Sequence, residues 1–199
     1  MIPWTGFTVA TAPSVEPVST AEAKDHLDIK GSDRDTYIDT LVGAARQALE
    51  KQMNRAFISQ TLDVAYDAFP RSDRSIILPR GPLQSVTTVM YFDEDGSTST
   101  VFSSGSYQVD IIGFLPRILI DPDADWPTDA LRSGNGVVVR IVTGYGDAAS
   151  DVPDNIVHAI KLGVRDLYDN PSETITGTIV SHTKAIQWLS SVDRAYTFA

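Results

Sequence analysis

Val137, Val138, Val139, Ile141 and Val142 form a β-branched apolar run of strand length, interrupted only by Arg140. Such a run is stable only where a core receives it, so we read it as a buried strand. Gly144 and Gly146 end it in a turn, and a short loop leads into an amphipathic helix. Asp151 or Ser150 is placed to cap that helix, and Pro153 falls in its first turn, where a missing N–H costs nothing. Ile156, Ile160, Val164 and Leu167 recur at helical spacing, with Val157 and Tyr168 widening the stripe. The whole stretch, from Gly136 to Asn170, is a strand–turn–helix device for building a core.

Two helices precede it. Ser19-Thr20-Ala21-Glu22 has the form of a capping box, so a short helix is expected over 19–29. A second helix, expected over 33–54 from a start at Ser32 or Asp33, carries Ile38, Leu41, Val42, Ala45, Leu49 and Met53 on one face. At about 20 residues it would be about 30 Å long. Gly43 and the alanines thin that face enough for close helix packing.

From Gln60 the period changes to two: Leu62, Val64 and Tyr66 alternate with Thr61, Asp63 and Asp67, the pattern of a half-solvated antiparallel strand. Further strands are expected at Ser75–Leu78 and Gln84–Phe92. After Asp93-Glu94-Asp95-Gly96, a strong turn, a Ser/Thr-rich strand returns. Tyr107–Ile112 and Leu115–Ile120 make a hairpin around Gly113. The segment Asp121–Asn135, with four aspartates and Trp126, reads as loop, and its opening Asp121–Asp125 as a solvated acidic stretch. The expected fold class is α+β: a helical core, built from the long helix and the C-terminal helix over 153–169, with an antiparallel β region inserted over 60–143.

Extended arms flank this main domain of residues 18–170. In the N-terminal arm, residues 1–17, Trp4 and Phe7 need an apolar groove, either on this chain or on a neighbour. In the C-terminal tail, residues 171–199, the periodic signal fades, yet Ile186, Trp188, Leu189, Arg194, Tyr196 and Phe198 cluster there. Such a tail either caps its own domain or docks on a partner; we read it as a flexible partner-docking segment.

Sixteen basic against 26 acidic residues give a net charge of −10, which argues against a protein that grips a duplex through its phosphates. It is compatible with surrounding nucleic acid without holding it. No cysteine is present, so neither disulfides nor thiolate metal sites hold the fold together. The first residues lack a basic leader and are broken by Pro3, Pro13 and Pro17. No run approaches the roughly 18 apolar residues of a membrane span. The expectation is a soluble protein with no membrane partner.

Three patterns resemble chemical motifs and fail on their details. Gly144-Tyr145-Gly146 through Ala149 fits a dinucleotide fingerprint, but the helix opens too late for its N-terminus to meet a pyrophosphate, and no βαβ unit surrounds it. Asp121-Pro122-Asp123-Ala124-Asp125 opens like a calcium loop, but Trp126 and Arg132 stand where Gly and Glu are required. His26, His158 and His182 lie in separate segments without metal-binding or catalytic spacing. No catalytic, cofactor-binding or metal residues are assigned, and no cofactor is expected.

Several short patterns occur in a fixed order: VSTAEAKDHL; the helix ending QALEKQMNRAFISQT; ILPRGPLQSVTTVMYFDEDG; YQVD followed by PRI; and VTGYGDAASDVPDNIVHAIKLGVRDLYDN. Together, over roughly residues 17–170, they resemble the head–tail connector (adaptor) proteins of tailed phages and phage-like gene transfer agents. The resemblance implies a non-enzymatic virion component of the neck, made in the bacterial cytoplasm. Copies of it would form a ring, commonly dodecameric, beneath the portal protein. The ring would extend the channel through which DNA passes without sequence-specific binding. It would also present a surface to a stopper or tail-terminator protein. Mobile terminal segments contact the portal in that family, which assigns the portal contact here to the tail residues Ile186 to Phe198. The alternative reading is another neck or tail-completion component, or an unrelated binding module.

Overall fold

The computed structural model describes residues 4–113, 115–170, 189 and 191. They fall into two units. The first comprises residues 4–13 and 59–145, the second residues 14–58 and 146–170 with the two described tail residues.

The first unit is all β. A five-stranded antiparallel sheet contains β1 (Gly6–Thr11), β2 (Gln60–Tyr66), β4 (Leu83–Phe92), β5 (Ser99–Val101) and β8 (Val137–Thr143), in the order β1-β2-β8-β4-β5. A second sheet orders β3 (Ser75–Ile77), β7 (Arg117–Ile120) and β6 (Tyr107–Asp110) as β3-β7-β6. The central strand β8 is paired along its whole length with β2 and β4. Its Val137, Val139, Ile141 and Thr143 are buried, but Val138, Arg140 and Val142 are only half-buried. The expected buried strand is thus fully buried on one face and half-buried on the other. Arg140 shows why: its register partner across the pair is Asp63, and Nε and Nη2 donate to the two carboxylate oxygens at 2.7 and 2.8 Å. Those hydrogen bonds hold the Asp63 carboxyl below its ordinary range.

The N-terminal arm supplies the edge strand β1. Thr5 N–H donates to Ala65 O at 2.9 Å, and Phe7 is register partner to Val64. Trp4 and Phe7, with ring centroids 5.9 Å apart, pack on this unit's own core, and the Arg80 guanidinium lies 5.0 Å from the Phe7 ring.

In the second unit, α1 (Thr20–Leu27), α2 (Asp35–Met53) and α3 (Asp154–Asp169) pack pairwise against one another. The capping box forms: Ser19 Oγ accepts from Glu22 N–H, and the Glu22 carboxylate accepts from Ser19 N–H at 3.0 Å. α2 begins two residues later than expected, with no side-chain cap at Arg34. α3 is not capped by Asp151 or Ser150. Asp151 closes a preceding 3-10 turn instead, accepting from Ala148 N–H at 2.9 Å. Its carboxylate folds across Gly146, where any Cβ would lie 2.1 Å from it, so the second glycine of the turn serves this close approach.

Ile156, Ala159, Ile160 and Val164 are the buried face of α3. Leu167, expected on that face, lies in the last turn and is 39% exposed. Close packing of α2 and α3 rests on Gly163, where a Cβ would stand 3.3 Å from the Ala45 Cβ. Gly43, expected to serve that purpose, faces Glu16 instead.

Candidate functional site

Among the described residues no three histidine, cysteine or carboxylate side chains gather to hold a metal. Of the tail residues assigned to a portal contact, Leu189 is helical and half-buried. Ile186, Trp188, Arg194, Tyr196 and Phe198 lie outside the described residues, as does His182.

The acidic segment 121–135 is anchored rather than solvated throughout. Trp126 stacks on Phe69 at 5.4 Å and tilts against Phe102 at 5.6 Å, and Tyr91 and Tyr107 extend the group to five rings. Trp126 is half-buried, and its Nε1 donates to Asp73 O at 3.0 Å, so the indole N–H is satisfied. The loop that opens like a calcium site already has a cation over it. Arg74 Nη2 donates to the carbonyls of Asp121 and of Ala124, the latter at 3.1 Å. One Trp among four Asp is the signal by which this anchoring could have been anticipated.

Between the turn 67–74 and the loop 125–133 lies a cleft of about 940 Å³, lined also by Ile120. Phe69, Trp126 and Leu131 give it an apolar lining. Four carboxylates against three guanidinium groups, Arg71, Arg74 and Arg132, leave it close to neutral. Ile120 ends β7 and Arg74 directly precedes β3, so the cleft lies at one end of the three-stranded sheet.

The other end of that sheet carries the β6–β7 turn. Here Asp110 Oδ1 accepts from the N–H groups of Ile112 and Gly113, both at 3.2 Å, while its Oδ2 accepts from Arg117 Nε at 3.1 Å. This wrapped carboxylate, held below its ordinary range chiefly by the Gly113 N–H, fixes the turn. What the turn presents is apolar: Ile111 is 51% and Ile112 95% exposed. Sequence reading placed the hairpin but not this tip, because an Ile-Ile pair entering a turn looks like the end of a strand.

The second unit brings together two histidines that the sequence left in separate segments. His26 of α1 and His158 of α3 meet edge to face at 6.2 Å. Burial pushes the His26 imidazole down, and the positive charges of His158, Lys161 and Arg165 push the same way against Asp25. The folded state thus binds the His26 proton less readily than the unfolded chain does. Stability from this group is full above the ordinary value of 6.5 and declines as pH falls below it. We expect the melting temperature to drop between pH 7 and about pH 5.5, before the carboxylates titrate. His26→Gln should flatten that drop; equal slopes in the two proteins would show that another group is responsible.

These two units define an α+β fold: three packed helices from the two ends of the chain, and an antiparallel two-sheet unit encoded between α2 and α3 together with the N-terminal strand. No protein-family model matches the chain, and no curated protein does. Solved structures do share the fold. A chain in the neck of an empty gene transfer agent (GTA) particle, computed with C6 symmetry, is 22% identical with a TM-score of 0.80, covering 98% of both chains. A chain in the neck of a native GTA particle, computed with C12 symmetry, is 21% identical with a TM-score of 0.76 over 98% of both. A third, from the virion of a native GTA particle, is 22% identical with a TM-score of 0.78 over 97% of both.

Proposed function

We propose that this protein is a structural subunit of the neck of a phage-like particle. In this role it is an adaptor whose copies form a ring, twelve in number, under the capsid portal. The ring extends the DNA channel and offers a docking surface to the next neck component, a stopper or tail-terminator protein. The observation that carries the reading is the near end-to-end likeness to chains in GTA necks computed with C6 and C12 symmetry. A cyclic ring needs two different complementary faces on each subunit. The net charge of −10 supports a channel that repels phosphates and lets DNA slide. The role is assembly rather than catalysis.

The portal contact is assigned to residues 171–199, whose Trp188, Arg194 and Tyr196 are of the types enriched at interface hot spots. Co-sedimentation of the purified protein with portal rings of the same particle, followed by mass determination, tests the proposal. We expect one copy per portal subunit. Absence of binding to intact portal rings would move the protein to another neck or tail position. Deletion of residues 171–199 should leave a folded protein that no longer joins the portal, and a truncated chain that docks normally would remove the tail from that role.

A further inference from the structure

The β6–β7 turn projects two isoleucines, and the partly apolar cleft is a recess at the opposite end of the same small sheet. Among the described residues of the unit, none covers Ile112 or fills the cleft. A side chain as large as Ile112 left 95% exposed forgoes the benefit of burial. Asp110 nonetheless accepts hydrogen bonds from Ile112 N–H, Gly113 N–H and Arg117 Nε, so the backbone at Ile112 is held before any partner arrives. We infer that Ile111 and Ile112 of one copy seat in the Phe69–Trp126–Leu131 cleft of the neighbouring copy, as a head-to-tail contact of the ring.

Three observations select a second copy as the occupant. Projection and recess are different surfaces of the same chain on opposite ends of one element, which is what a heterologous, ring-closing contact requires. A contact between chains that each carry −10 must avoid stacking acid on acid. The tip's one carboxylate, Asp110, is paired with Arg117, and the cleft's four carboxylates face three guanidinium groups. At about 940 Å³ the cleft also has room for two isoleucine side chains with their turn. The inference rests on the ring reading above and deepens it by naming the contact.

The chain has no cysteine, so the contact can be trapped cleanly in the full-length protein assembled on portal rings. Ile112→Cys combined with Ala130→Cys, on the tip and the cleft wall, is oxidised or bridged with a short bis-maleimide. We expect a ladder of covalent dimers, trimers and higher multiples on a denaturing gel, whereas each single-cysteine chain stops at a dimer. A double variant that also stops at a dimer overturns the inference. As a second readout, Ile112→Asp should fold normally, because its side chain meets solvent, and should lower ring assembly at least tenfold. Normal assembly by that variant likewise overturns the contact. If the wild-type protein forms rings on the portal while no ladder appears, the contact is wrong and the ring stands. If wild type forms no ring at all, the ring reading falls and this contact with it.

Discussion

Val164→Asp abolishes the helical unit: we expect loss of cooperative melting and of much of the helical circular dichroism signal at 25 °C. Val164 is 0% exposed on the face of α3 that also carries Ile156, Ala159 and Ile160. The substitution removes about 1.5–3 kcal/mol of apolar burial. It then requires either a carboxylate without a partner in that core or its protonation, which costs several kcal/mol more. The combined loss, of about 4–5 kcal/mol, is comparable to the whole stability of many domains. Leu167→Asp, one turn on and 39% exposed, is the internal control and should change stability by no more than about 0.5 kcal/mol. If the two variants melted alike, the assignment of the buried face would be wrong.

The second large effect is expected at Glu50, where the side chains of Glu50 and Arg46 are 6% and 8% exposed. Glu50 Oε2 accepts from Arg46 Nη1 and its Oε1 from Phe57 N–H, both at 2.9 Å. Arg46 Nε reaches on to Glu16 at 2.7 Å. Buried pairs of this kind add little net stability over apolar residues of equal size, but removing one member leaves the other's charge uncompensated. Glu50→Ala deprives Arg46 of one carboxylate and the buried Phe57 N–H of its acceptor, at a cost of about 3–5 kcal/mol. Glu50→Gln keeps an acceptor for Phe57 and should lose less than half of that. Chemical denaturation of the three proteins measures both differences. Equal stability of Glu50→Ala and wild type would mean that water replaces the carboxylate.

The sequence shows periodicity well and partnership poorly. The α3 face from Ile156 to Val164, the Ser19–Glu22 cap and the alternation of β2 could be read because each signal is local and repeats within a few residues. β1 could not, because Thr8, Val9, Ala10 and Thr11 alternate weakly and take their strand geometry from pairing with β2. The anchoring of the loop 121–135 is hidden because aspartates dominate its composition, whereas one indole decides where it lies. The burial of Arg46 and Glu50 is not visible in the sequence, since nothing in a spacing of four reveals the loop carrying Phe57 beside them. His26 and His158 are brought together only by the packing of α1 on α3.

A last consequence concerns the order in which the parts can form. α2 ends at Met53 and α3 begins at Asp154, so pairing these helices from a free chain closes a loop of about 100 residues, at an entropic cost of about 4 kcal/mol plus a constant. The chain passes between these helices by entering the β unit on β2 and leaving it on β8, and the first residue of one, Gln60, is register partner to the last of the other, Thr143. Once that ladder has zipped, the separation along the chain between α2 and α3 is effectively reduced to the few residues outside it. A β unit formed before the helices would bear the cost of closure and leave them a short connection in place of a long one.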